Sequence, residues 1–182
     1  MVNTASEPEA IPVVSFVGRS NSGKTTFLEK LIGELSARGV CVGTAKRHQH
    51  DVAVDIPGKD SYRHAKAGAH VAIMSTSTQL SVVTQVREKV RVEALAETAA
   101  REGCDILITE GFKKGPADKF EVSRHQNYEQ TVLPSESLRV LITDNPALGE
   151  KYRTDGVLVF SLDDTNGVAD FIVQTYLPEH VF

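Results

Sequence analysis

The stretch Gly18-Arg19-Ser20-Asn21-Ser22-Gly23-Lys24-Thr25 decides how this chain of 182 residues is read. It fits G-x-x-x-x-G-K-[ST], a pattern that carries chemistry only when a buried strand precedes it and a helix follows. Both flanks comply. Residues 11–17 (IPVVSFV) form a nearly continuous apolar run rich in β-branched residues, the mark of a strand covered on both faces. From Lys24 to Arg38, the residues Phe27, Leu28, Leu31, Ile32 and Leu35 make a helical stripe that Gly39 closes. The glycines let the backbone turn tightly, so that successive N–H groups and the helix N-terminus face β- and γ-phosphates. Lys24 sets a positive charge against phosphate oxygens, and the Thr25 hydroxyl is placed to coordinate Mg²⁺ bridging them. The candidate binding set is Gly18, Ser20, Asn21, Ser22, Gly23, Lys24, Thr25 and Thr26, with packing or capping as the alternative for Thr26.

Outward from this loop the chain alternates. An apolar run at 40–45 leads into the polar stretch 46–61, where Pro57 and Gly58 argue for a long loop. Asp60 or Ser61 can cap a short helix ending near Gly68, and VAIMS (71–75) and QLSVV (79–83) then read as strands of a hairpin. Residues 90–101 have helical spacing through Val92, Leu95, Ala96 and Ala99, and DILIT (105–109) is a second buried-strand pattern. LRVLIT (138–143) and VLVF (157–160) are further strand candidates, and 168–177 is an apolar helical face. This order predicts an α/β fold, a mostly parallel sheet with helices on both faces and an added β-hairpin, with ligands at the carboxyl ends of the strands. Residues 1–10, without period and containing Pro8, are expected to be a disordered tail before a single domain over 11–182.

Composition narrows the partners. Twenty Lys+Arg against 24 Asp+Glu give a net charge of -4, which offers no field for coating nucleic acid or anionic lipid. A polyanion must therefore be held locally, as backbone dipoles and one lysine can do. Hydrophobic residues at 41% and charged residues at 24% exclude wholesale disorder and coiled-coil or collagen-like classes. No apolar run approaches the roughly 18 residues of a membrane span, and the opening MVNTASEPEA is polar, so a cytoplasmic protein is expected. Cys41 and Cys104 lie outside any C-x-x-C pattern and are expected to be reduced and buried.

A phosphate loop with magnesium needs carboxylates at a neighbouring strand end. Glu110 follows the last apolar residue of its strand and should project beside the phosphates, whereas Asp105 lies at the opposite end. An ordinary surface glutamate before a turn is the alternative. Asp51 and Asp55, in the loop after the second strand, can hold Mg²⁺ or orient water near the γ-phosphate. Thr25, Asp51, Asp55 and Glu110 are thus the candidate metal ligands, and Lys24, Asp51 and Glu110 the candidate catalytic groups. His48 and His50 have a spacing that an extended segment could turn to a transition metal, or to solvent, phosphate or partner contact.

Beyond the loop, the chain resembles the MobB proteins of molybdopterin guanine dinucleotide biosynthesis. The resemblance runs from about residue 11 to 177. It rests on Lys46, His50, Asp51 and Asp55 ahead of Pro57-Gly58-Lys59-Asp60-Ser61-Tyr62, on Glu110-Gly111-Phe112-Lys113, and on Glu121-Val122-Ser123-Arg124. Where the family commonly reads Lys-His and further histidines, this chain has Lys46-Arg47-His48-Gln49-His50. The resemblance implies a P-loop NTPase fold of the branch that includes dethiobiotin synthetase, GTP binding with slow hydrolysis, and homodimers. It also implies an adapter role beside the molybdenum cofactor guanylyltransferase, the enzyme that attaches GMP to molybdopterin.

Guanine recognition is less marked. The tetrapeptide N-K-x-D is absent, but Thr143-Asp144-Asn145-Pro146 follows a buried strand, so Asp144 can accept from guanine, or the same residues can form a cap or turn. Lys113, Lys114 and Arg124 can meet a second anionic ligand such as the pterin phosphate, or simply be a solvated basic surface. The leading reading is a GTP-binding adapter whose γ-phosphate orders the loop from Lys46 to Asp60. The rivals are an ATP-dependent small-molecule kinase or ligase like dethiobiotin synthetase, and a metallochaperone GTPase.

Overall fold

The computed structural model describes residues 9–48, 54–124 and 130–180. The chain divides into two compact units, Met1–Arg47 with Val92–Phe182, and His48–Arg91. The larger unit contains strands β1 (Val13–Val17), β2 (Val42–Lys46), β5 (Ile106–Glu110), β6 (Asp118–Ser123), β7 (Val140–Thr143) and β8 (Leu158–Phe160). Its helices are α1 (Lys24–Ala37), α3 (Val92–Arg101), α4 (Pro146–Thr154) and α5 (Thr165–Tyr176). The smaller unit has α2 (Asp60–Lys66), β3 (Val71–Ser75) and β4 (Leu80–Thr84).

The strands of the larger unit form one six-stranded sheet in the order β2-β5-β1-β6-β7-β8, and every neighbouring pair is parallel. β1 therefore lies at the centre, which explains why its apolar run is unbroken: Val14, Phe16 and Val17 are essentially without exposure. Alternation sends Val14 and Phe16 to the face covered by α1 and α5, where they meet Leu31, Leu35, Phe120, Ile142 and Ile172. The Phe16 and Phe120 rings stand 5.2 Å apart. Burying side chains of this size contributes about 1.5–3 kcal/mol each. Val17 turns to the opposite face, with Leu141 and with Leu148 and Tyr152 of α4. α3 packs on that same side of β2, close enough that a Cβ at Gly43 would meet Ala99 Cβ at 3.0 Å.

The predicted parallel α/β sheet with helices on both faces is what forms. Residues 143–146, which the sequence leaves open as a guanine contact, a cap or a turn, lead into α4, the main addition. Asn145 caps it by accepting the Leu148 N–H at 3.1 Å, and Pro146 opens it. Cys41 is exposed rather than buried, and Cys104 is half-buried; both are free thiols. In the smaller unit β3 and β4 pair as the expected antiparallel hairpin, with α2 packed on β3.

Candidate functional site

The loop 18–23 passes from the end of the central strand into α1, and its geometry is dictated by its glycines. Gly18 has φ 142° and Gly23 φ 88°, while Asn21 takes φ 61°, a left-handed conformation that asparagine tolerates better than most residues. A Cβ at Gly18 would stand 2.4 Å from the Val122 carbonyl oxygen of β6, so the loop lies against the sheet in a way no other residue permits. Gly23 is the N-cap of α1 and offers no side chain to the first-turn N–H groups. Those donors, with the positive end of the helix dipole, make a ready anion site. Ser22 is buried within the loop, and Ser20, Asn21, Thr25 and Thr26 are exposed around its mouth.

Lys24 folds back across the loop. Its ammonium donates to the Gly18 carbonyl at 3.1 Å, to the Arg19 carbonyl at 2.7 Å and to Ser22 Oγ at 3.5 Å. Partial burial lowers its pKa, with Glu110 acting in the opposite sense. Glu110 ends β5 in register with Phe16 of β1 and Lys46 of β2, and its Oε2 lies 3.3 Å from Lys46 Nζ. Thr25, Lys46 and Glu110 line one cavity of about 230 Å³ beside α1. Asp105 stands at the other end of β5, where its Oδ2 accepts the Cys41 N–H at 2.7 Å and supports strand pairing.

Arg124 is the functional candidate whose place the sequence did not reveal. It follows β6, and its Nη2 would lie 3.3 Å from a Cβ at Gly23, so a guanidinium stands beside the N-cap of α1. The available signal was its position one residue past a strand adjacent to β1. Lys113, grouped with Arg124 in the sequence, lines a cavity with Lys119 and Arg139, and Lys114 is exposed. Glu121 of β6 is buried, and its carboxylate accepts the N–H groups of Val132 at 2.5 Å and Leu133 at 3.1 Å. Burial raises its pKa and those two bonds oppose the rise.

At the end of β7, Asp144 is exposed, whereas Asn145 is consumed as a helix cap. Asn145, Leu148, Lys151 and Tyr152 border a cavity of about 690 Å³ against the segment 130–134. In the smaller unit, Asp55 Oδ1 accepts the Ile56 N–H at 2.7 Å. Asp55 Oδ2 and Ser61 Oγ are buried without a hydrogen-bond partner among the described residues. His48 is exposed, and His50 and Asp51 lie outside the described residues. Among the described residues no three His, Cys, Asp or Glu side chains gather as a metal site, and no helix is long and apolar enough to cross a membrane.

The chain is similar to known proteins. The profile of the family described as Molybdopterin guanine dinucleotide synthesis protein B, MobB, matches residues 13–144. A molybdopterin-guanine dinucleotide biosynthesis adapter protein of Escherichia coli (strain K12) is 33% identical over 169 residues, covering 90% of this chain and 93% of the relative. Another from Haemophilus influenzae is 38% identical over 116 residues, 64% of this chain and 65% of the relative. Among solved structures, the crystal structure of Bacillus subtilis MobB superposes with a TM-score of 0.70 at 28% identity, covering 90% of this chain and 97% of that one. With a family profile spanning most of its length and a relative one-third identical over 90% of it, the chain belongs to the MobB family.

Proposed function

We propose that this protein is a GTP-binding adapter in the synthesis of molybdopterin guanine dinucleotide, with slow intrinsic GTPase activity. The observation that carries the reading is the glycine cradle at 18–23, shaped by contacts that exclude a side chain at Gly18 and flanked by the Lys24 ammonium and the Arg124 guanidinium. Backbone N–H groups of the loop and of the first turn of α1 would receive the β- and γ-phosphates, with Lys24 and Arg124 as the charged partners. Thr25 and Glu110 suit Mg²⁺, which takes hard oxygen ligands and needs only one or two protein groups when phosphates supply the rest. Asp55 and Asp51 are the further candidates that the sequence offers. When bound, the ion neutralises charge on the phosphates. Glu110 would orient it from the strand end, where Lys46 already fixes the carboxylate.

The motifs supply no glutamine to orient water, which supports slow turnover and a role in which occupancy matters more than flux. Asp144, exposed at the end of β7, is the proposed guanine reader. The guanylyltransferase, and molybdopterin itself, are the proposed partners, in the cytoplasm where a nucleoside triphosphate is available. A homodimer is supported by the hairpin. Val71 (45% exposed), Ile73 (63%), Leu80 (66%) and Val82 (56%) lie on one face of β3 and β4, an apolar surface of the kind that self-association covers.

Calorimetry of GTP and ATP with Mg²⁺ on wild type, Lys24→Ala and Asp144→Asn tests the reading. GTP selectivity, loss of binding in the first variant and relaxed base choice in the second are expected. ATP selectivity with substrate-stimulated ADP release would overturn it.

A further inference from the structure

The sheet face that carries α3 and α4 is polar at its centre. Thr109, Ser15 and Lys119 are register neighbours across β5, β1 and β6, and all three are buried. Ser15 and Thr109 satisfy each other through a 2.8 Å hydroxyl bond. Lys119 does not share in this. The residue is only 6% exposed, and its Nζ is buried without a hydrogen-bond partner among the described residues. Lysines ordinarily carry their charge out to water, and an unpaired ammonium in an interior is costly. A position that only had to fill space would be served better by Met or Leu.

The surroundings supply a reason. A cavity of about 460 Å³ lies beside β6 between the segments 113–117 and 133–139. Lys119 lines it, together with Lys113 and Arg139, both exposed. Of the two carboxylates at this cavity, Asp118 accepts the Tyr176 hydroxyl at 2.5 Å and also acts electrostatically on Lys119, and Glu136 is on the surface. Lys113 and Lys119 thus border a space within the range of small-molecule sites and far larger than a bare ion or one water needs, while the Arg139 guanidinium lies over the Phe171 ring of α5, 5.7 Å from its centroid.

We propose that this cavity binds a small organic molecule through a dianionic phosphate group, with Lys119 as the buried anchor and Lys113 at the rim. A phosphate dianion, with two charges and three acceptor oxygens, matches two ammonium groups better than a singly charged carboxylate does. The four-carbon stem of Lys119 can present its ammonium to the cavity by rotation. This site does not depend on nucleotide binding at the glycine loop.

Phenyl phosphate, titrated calorimetrically into Lys24→Ala, is a suitable probe because the glycine loop is then disabled. Saturable binding of one molecule per chain is expected. Adding Lys119→Met should weaken it at least tenfold and Lys113→Gln by a smaller factor, while Lys119→Met alone keeps GTP binding. Should Lys119→Met fail to fold, Lys113→Gln at the exposed rim carries the test. No binding to Lys24→Ala, or binding unchanged by these substitutions, would overturn the site. Equal affinity for benzoate would overturn the phosphate assignment.

Discussion

Replacing Gly18 by alanine isolates the contact that shapes the candidate site. Two costs arise. At φ 142° the backbone adopts a conformation that a residue with a side chain reaches only with about 1–3 kcal/mol of strain. The new methyl would also lie 2.4 Å from the Val122 carbonyl oxygen. That oxygen belongs to a central strand, so the loop must lift from β6 by roughly 1 Å, and forced repacking of this kind costs about 1–3 kcal/mol. The sum is about 4 kcal/mol, which for a protein of this size lowers Tm by roughly 8–16 °C. Gly39→Ala is the reference. Gly39 closes α1 with φ 81°, and a Cβ there meets nothing within 4 Å, so only left-handed strain of about 1–2 kcal/mol applies. Urea denaturation of both variants measures the difference, and nucleotide titration should show binding lost in Gly18→Ala and retained in Gly39→Ala. Equal destabilisation of the two would refute the claim that the loop is held against β6 by this close approach.

Arg124→Ala should leave stability nearly unchanged, because the residue is exposed. It should raise the Kd for GTP by about 10- to 100-fold, the worth of a hydrogen bond to a charged group. An unaltered Kd would remove Arg124 from the site. For Lys119, burial lowers the pKa below 10.5. Between the lowered value and 10.5 the unfolded chain holds a proton that the folded chain has released, so stability rises with pH across that window. Denaturation midpoints measured from neutral pH upward should climb more steeply for wild type than for Lys119→Met, and parallel profiles would contradict the burial of that ammonium.

The elements legible in the sequence are those whose burial is symmetrical or strictly one-sided. β1 and β5 read as apolar runs because both faces are covered, and α1 shows its stripe because Phe27, Leu28, Leu31 and Leu35 point to one core. β6 is different. Its residues Lys119 and Glu121 are as buried as its Phe120 and Val122, so its pattern mimics a half-exposed strand and only the family resemblance drew attention to it. α4 was hidden because its nine residues, PALGEKYRT, bury only Leu148, Gly149 and Tyr152. Its start signals, Asn145 and Pro146, are also the residues of an ordinary turn. The glycine loop, Lys24, Thr25 and Glu110 follow from local spacing plus strand order. Arg124 could not be placed that way, because its neighbour Gly23 is distant in sequence and is met only through the pairing of β1 with β6.

A nucleoside triphosphate seated at the start of α1 is reported directly by amide NMR of the ¹⁵N-labelled protein. On titration with a non-hydrolysable GTP analogue and Mg²⁺, the largest shift changes should fall on Gly18 and on Gly23, Lys24 and Thr25, with a smaller response at Glu110 and Arg124. Saturating changes that leave Gly18–Thr25 unmoved and cluster elsewhere would contradict that seating.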